Sequence, residues 1–329
     1  MKHLSNKKGA AALATAAVLA FALLFTGCSQ TTDGSFGGGS GSGGGTGGSA
    51  PQAPLVSGGA SLILSPNELT ITVTVKTADN SPVTVEGCTE TKLTIHNWET
   101  KLHAKGTTVI LKGNIIELKC GIAADGNSNK LLALNVQGLS ALQELLCHGN
   151  RLTSLNVQGL SNLETLLCRV NRLTELNVQG LSNLKKLGCQ GNKLTELDAQ
   201  GLNKLERLDC YNNRLTDLKV HNLSALESLN CQGNRLTSLN VSGCTALKTL
   251  NRSSNKIAGK FAVPAFFNSL PDRLPADDAR CYLYTEKAGV PEGNLTNFTD
   301  AGVAGAFQNA KNRNWKMYKY DANGDPVEI

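Results

Sequence analysis

From Leu142 onward the apolar positions obey a fixed rule, L-x-x-L-x-C-x-x-N-x-L-T-x-L-x-V-x-G-L-S-x, which is complete just before Leu163 and starts again there. Leu145 and Cys147 alternate as on a short strand with both side chains on one face. Leu152, Leu155 and Val157 keep apolar spacing over the following stretch, and a turn this short leaves little room for a helix, so this half is expected to be extended. Cys147, Cys168, Cys189, Cys210 and Cys231 recur at the 21-residue step, and Asn150, Asn171, Asn192, Asn213, Asn234 and Asn255 keep it as well. The step after Cys231 lands on Arg252, where the apolar rule fails. Cys120 is six residues out of phase, which implies a six-residue insertion within "GIAADGNSN". Stacked copies predict parallel strands about 4.8 Å apart. Each Asn is expected to turn inward, its amide bonding backbone groups of its own and adjacent turns.

The flanks follow other patterns. "LTITVTV" alternates and predicts a strand with Leu69, Ile71, Val73 and Val75 on one face; "TTVILKGNIIELKC" reads as two strands joined by a turn at "KGN". This region is expected to form a β unit covering the open end of the stack, since a terminal turn otherwise exposes core. After Gly259 the repeat stops. "VPAFFNSLP" predicts a short helix, "ARCYLYTEK" a strand, "NFTDAGVAGAFQNAKNRN" an amphipathic helix capped by Thr299 or Asp300, and "NWKMYKYDANGDPVEI" a strand and turn.

The repeat is that of leucine-rich repeats with Cys in place of one Leu. Its short period and its Cys resemble bacterial surface leucine-rich repeat proteins with a cysteine ladder, of the internalin J type. The resemblance is strong over Thr107–Gly259. It implies a leucine-rich repeat solenoid with a parallel β-sheet on the concave face, an extended, short-stranded convex face, an N-terminal β cap and a C-terminal α/β cap. In such a core a thiol acts as a small hydrophobe. No C-x-x-C spacing suits a metal, and an odd run of five thiols cannot pair completely. Cys244 occupies the place of Leu202 and Leu223 and reads as core. Cys88, Cys120 and Cys281 are assigned to the caps, with a Cys88–Cys120 bridge left open.

The first residues set the compartment. Lys2, Lys7 and Lys8 precede an apolar, Ala- and Leu-rich run over 9–25 that is shorter than a comfortable membrane span and fits a secretory signal. It ends in "LLFTGCS", which resembles a bacterial lipobox of the looser spirochaete kind, with Phe25 where Leu is commonest. The combination is similar to spirochaetal leucine-rich repeat lipoproteins and implies diacylglycerol on Cys28. Ser29 is compatible with outer-membrane sorting, and a periplasm-facing anchor is the alternative. The Gly/Ser sequence after Cys28 cannot bury a core and serves as a tether. The domain reading is therefore 1–27 signal, 28–58 lipidated Cys and tether, 59–114 N-terminal cap, 115–259 repeats and 260–329 C-terminal cap.

Charge adds one feature. The position after each repeat Asn, and its counterpart one step earlier, holds Lys130, Arg151, Arg172, Lys193, Arg214, Arg235 and Lys256, seven basic residues in a row. Lys130–Lys256 carries 15 basic and 9 acidic residues, which equals the net +6 of the whole chain. Glu175, Glu196 and Asp217, three places after their basic residues, are expected to neutralise part of the row. The row reads either as a solvated surface propagated with the repeat or as an anion-binding rim. Candidate partner-binding positions are the strand residues that the core leaves free: Leu146, His148, Leu167, Arg169, Lys186, Gln190, Arg207, Asp209, Tyr211, Asn230 and Gln232. Leu146 and Leu167, with His148 and Arg169, form a small apolar spot. No nucleophile–base spacing and no phosphate loop occurs; "DANGD" is an incomplete calcium loop with Pro326 where Gly is needed. These positions predict a monomeric binding protein without enzyme activity, cofactor, metal or nucleic-acid partner. Its expected ligand is a protein or anionic glycan, met in adhesion or cell contact; the alternative is a structural envelope lipoprotein that binds polyanions.

Overall fold

The computed structural model describes residues 51–95, 98–121 and 130–329. The signal, Cys28, the tether up to residue 50 and the insertion expected in 122–129 lie outside the described residues. Each 21-residue turn contributes one three-residue strand: Glu144–Leu146, Thr165–Leu167, Lys186–Gly188, Arg207–Asp209, Ser228–Asn230 and Thr249–Asn251. Neighbours are parallel and paired at the repeat offset, Leu145 with Leu166, Leu187 with Leu208, Leu229 with Leu250. The extended half of the turn forms a second, two-stranded parallel pairing of Glu196–Asp198 with Asp217–Lys219 and is otherwise coil.

The interior follows from the repeat. Every Leu of the rule from Leu142 to Leu250, and every Cys, is buried. Burial pushes the thiols of Cys120, Cys168 and Cys231 up to about 12 and those of Cys147, Cys189 and Cys210 well above their ordinary range. All nine described cysteines are free thiols, Cys88 and Cys120 included. Cys120 belongs to the ladder and not to a cap. Its strand, Ile115–Lys119, pairs parallel with Glu144–Leu146, and the Cys120 N–H donates to Leu146 O at 2.8 Å. The thiol column therefore holds six members, so the parity argument against pairing fails, although the thiols are unpaired.

The Asn column satisfies the backbone where the chain turns. Asn192 Oδ1 accepts from Leu173 N–H at 3.0 Å, while its Nδ2 donates to Cys168 O at 3.1 Å and Cys189 O at 2.9 Å. Asn150, Asn171, Asn213, Asn234 and Asn255 repeat this set with the equivalent groups. Each amide thus ties its own turn to the preceding one, and each Cys carbonyl accepts from two successive Asn, Cys168 O from Asn171 and Asn192. Losing one amide leaves one buried N–H without a partner and takes a hydrogen bond from each of two carbonyls.

At the N-terminal end, Gly59–Ile63, Val83–Glu86, Lys92–Leu93 and Thr108–Lys112 form an antiparallel sheet, to which Ala133–Asn135 of the first full turn adds an edge. Gly138 permits this contact, because a Cβ there would lie 1.8 Å from Val56 O. The two strands around "KGN" are not a hairpin. Thr108–Lys112 stays in the cap sheet, while Ile115–Lys119 crosses to the ladder and pairs there with Thr70–Thr77. Each strand buries one face against a different sheet, and that outweighs the local turn signal. Leu69 precedes its strand and is 36% exposed, unlike Ile71, Val73 and Val75.

At the other end the long sheet continues beyond the repeats. Arg280–Thr285 pairs parallel with Thr249–Asn251, Lys316–Tyr320 follows in parallel, and Pro326–Glu328 closes antiparallel. Helices α1 (Ala262–Ser269) and α2 (Ala301–Asn312) pack Phe266, Phe267, Phe298 and Phe307 into an aromatic cluster. Asp300 is the N-cap residue of α2 but makes no side-chain capping bond. Asn294, outside the repeat register, takes over the Asn role: it accepts from Ile257 N–H and donates to Arg252 O and Leu283 O.

Candidate binding face

The strands present three outward columns. Glu144, Thr165, Lys186, Arg207, Ser228 and Thr249 share one register, and Leu146, Leu167, Gly188, Asp209, Asn230 and Asn251 the next. His148, Arg169, Gln190, Tyr211, Gln232 and Ser253 form the third, just beyond the strand ends. The face changes character along its length. Leu146 and Leu167 lie side by side and half-buried, with Leu167 over Gly188, where an added Cβ would meet Leu167 Cδ2 at 2.9 Å. His148 is held below its ordinary pKa by burial and by Arg169, so it is neutral at pH 7. In the middle, Arg207 Nε meets Asp209 Oδ2 at 2.7 Å, an ion pair on the face itself. Lys186 and Arg207 are exposed; Asp209, Tyr211, Asn230, Gln232, His148 and Arg169 are half-buried. Gln190 departs from its expected role: it is 8% exposed, and its Oε1 has no partner. Gly188 beside it offers no side chain to hold it outward, so it folds down onto the strand.

The repeat pattern misses the far end of this face. The cap strands add Arg280 and Lys316 to the first column and Tyr282 and Tyr318 to the second. Tyr282 stacks on Tyr318 at 5.2 Å and on Tyr320 at 5.3 Å between ring centroids. Asn251 Nδ2 donates to Gln232 Oε1 at 3.1 Å and to Tyr320 Oη at 3.2 Å, joining repeat and cap. Burial pushes the Tyr320 hydroxyl up to about 12. Only the alternation in "CYLYT" and "MYKY" hints at this in the sequence.

The basic positions line up along one edge, because each backbone N–H bonds the preceding turn: Arg172 to Leu152 O, Lys193 to Leu173 O, Arg214 to Leu194 O and Arg235 to Leu215 O. Lys130 pairs with Glu68 of the N-terminal cap. Arg151, Arg172, Lys193, Arg214, Arg235 and Lys256 have no ion pair among the described residues. Glu175, Glu196 and Asp217 do not neutralise them. They stand on the next stretch of backbone and are exposed, and the ion pair formed there, Lys219 with Asp198 at 3.4 Å, uses neither column.

Residues 182–223 match the family model of leucine-rich repeats in two copies. This is a leucine-rich repeat solenoid. The matched span holds two of the turns described above, and the same hydrogen bonds recur in the turns outside it. Among solved structures, similarity is found to an internalin from Listeria monocytogenes (20% identity, 46% of this chain and 44% of that one, TM-score 0.37). It is found also to the functional domain of InlJ from Listeria monocytogenes, which includes a cysteine ladder (22% identity, 55% and 52%, TM-score 0.32). A third is the leucine-rich repeat domain of APL1B (17% identity, 44% and 48%, TM-score 0.35). The chain spans about half the length of each. None of the curated proteins matches it.

Among the described residues no three His, Cys, Asp or Glu side chains are grouped to hold a metal, and no helix is long and apolar enough to cross a membrane. The cleft between the N-terminal cap and the first full turn is lined by Gly58, Gly113, Asn114, Ile115, Gly138, Leu139, Ser140 and Ala141, none of them titratable. "DANGD" is a turn: Asp321 Oδ1 accepts from the N–H groups of Asn323, Gly324 and Asp325 at 2.9 Å each.

Proposed function

We propose that this is a non-enzymatic, exported binding protein that engages a protein partner with the concave face of its solenoid. Leucine-rich repeats generally mediate protein binding, and the observation that carries the reading here is the face itself. A rigid sheet with uniform core columns presents three columns whose outward side chains change from aliphatic to charged to aromatic and amide along its length. The strand residues named above are its contact set, extended by Tyr282 and Tyr318. The lipobox-like "LLFTGCS" supports lipid attachment at Cys28 and display at the cell surface, in an adhesion or cell-contact role. To test the reading, random peptides displayed on phage are selected on the full chain and re-measured on two variants. Binding lost in the concave variant Arg207→Glu/Tyr282→Ala and kept in the convex variant Asn177→Lys supports it; the reverse sinks it. Protease shaving of intact cells tests the location, since a protected protein excludes display.

The unpaired rim favours a second reading, in which the rim engages a polyanion of the envelope or of a host glycan. Six cations about 4.8 Å apart stand closer than the roughly 7 Å at which two unit charges in water interact with an energy of RT. Such a row gathers counterions and releases them to a polyanion. Binding to dextran sulfate should then fall linearly with log salt and flatten when Arg172, Arg214 and Arg235 become Gln. Salt-independent binding would remove the rim from the function.

A further inference from the structure

One β-branched residue among those described on the solenoid sits in a conformation its side chain disfavours. In the turn after each ladder strand the chain passes through the left-handed region, and four of six turns place Gly or Asn there, Gly149 (φ 71°), Gly191 (68°), Asn212 (53°) and Gly233 (64°), and a fifth the small Ser254 (55°). The sixth is Val170 at φ 54°. A β-branched residue with positive φ is an outlier held against its own preference. Nothing inside the protein accounts for it, because the Val170 side chain is 46% exposed and lies over the bare backbone of Gly191. Its N–H donates to Gln190 O at 2.8 Å, so the backbone needs the turn but not the valine.

The surroundings say what the valine serves. Val170 belongs to the same turn as Leu167, and Leu167 pairs in register with Leu146. Arg169, next to Val170 in the chain, and Arg151, Arg172 and Lys193 on the rim of this turn and its two neighbours have no ion-pair partner among the described residues. On the strand face itself, Glu144 faces Lys119 at 4.0 Å and Asp209 holds Arg207. This stretch of the face thus carries exposed or half-buried aliphatic side chains and basic side chains without ion pairs. Apolar anchors ringed by polar contacts are the usual form of a binding hot spot.

We infer that Val170, Leu167 and Leu146 form the anchor pocket of the concave face, and that its occupant is a protein segment carrying one aliphatic or aromatic side chain flanked by carboxylates. This rests on the concave-face reading above and narrows it to one partner chemistry.

The test uses synthetic nonapeptides on the full chain: one with a central Leu flanked by Glu and Asp, one with that Leu replaced by Ser, and one with the acids replaced by Lys. The first should bind saturably at low salt and the other two at least tenfold more weakly. Val170→Asn, which suits the left-handed turn, should weaken binding at least tenfold while leaving the urea midpoint unchanged or higher. Those opposite signs are the signature, since a merely structural valine would lose stability along with binding. Val170→Gly is the second variant for the same comparison. Absence of saturable binding by the acidic Leu peptide, or equal affinity in Val170→Asn, overturns the inference. If peptides selected on the full chain bind through Tyr282 and are indifferent to Val170, the anchor pocket falls while the concave-face reading stands. If neither end of the face matters to them, both fall.

Discussion

Cys231 and Arg252 occupy the same place in successive turns, and the two places are built on opposite terms. Cys231 is one of six small thiols stacked in an apolar column. Arg252 is just as fully buried, yet its Nε, Nη1 and Nη2 have no hydrogen-bond partner. Its guanidinium lies 4.4 Å from the Phe266 ring centroid, and burial lowers its pKa. The nearby Glu292 carboxylate is occupied by the N–H groups of Ser254, Thr285 and Asn294. A cation over an aromatic ring recovers about 2 kcal/mol when desolvated, less than the several kcal/mol that burying an unpaired ion costs. The interior turns are therefore made of interchangeable parts, whereas the junction with the C-terminal cap tolerates a misfit that the aromatic helices and Asn294 hold in place.

The largest effect expected from this contrast is alkaline. A thiol such as Cys168, ionising near pH 9 unfolded and near 12 folded, contributes stability fully present below pH 9 and lost as pH rises toward 12. Each such thiol removes about 1.4 kcal/mol per pH unit across that window, so the ladder should unfold cooperatively before its upper end. Urea midpoints measured from pH 8 to 11 check this, and Cys168→Ala should flatten the slope. A midpoint indifferent to pH would break the contrast from the ladder side. Next in size, Asn192→Ala and Asn294→Ala should each cost about 3–5 kcal/mol, because each leaves a buried N–H, that of Leu173 or Ile257, without its acceptor and takes a hydrogen bond from each of two buried carbonyls. Equal losses by denaturation would equate the periodic Asn with its out-of-register substitute. Smaller and of opposite sign, Arg252→Met should stabilise by about 2–3 kcal/mol by removing the unpaired charge while filling the space of its stem. A destabilised variant would mean that the guanidinium is compensated in a way the contacts do not reveal. Smallest, Arg172→Gln with Arg214→Gln should change stability by no more than about 0.5 kcal/mol in thermal melts, as expected for solvated rim charges.

Periodicity made much of this legible. Because each turn is stacked on the last, a letter recurring once per repeat becomes a column, so the Leu core, the thiols and the Asn bonds could be named from the sequence. The outward positions were also readable, as whatever the core rule left free. Gln190 was misjudged because its exposure depends on Gly188 and Leu167, not on its own register. Cys120 was misplaced since an insertion broke the count, and the "KGN" strands were misread because local turn chemistry says nothing about which sheet each strand joins.

Repetition alone determined the rung, its interior and the row of basic side chains, because these depend on contacts between equivalent positions in neighbouring copies. Only the tertiary structure decided how the stack ends: which strand opens it, that Tyr282 and Tyr318 lengthen its face, that Asn294 replaces the next Asn, and that Val170 stands strained above Gly191. Those contacts join residues with no common period, and their partners are set by packing between unlike segments, which leaves no regular trace in the chain.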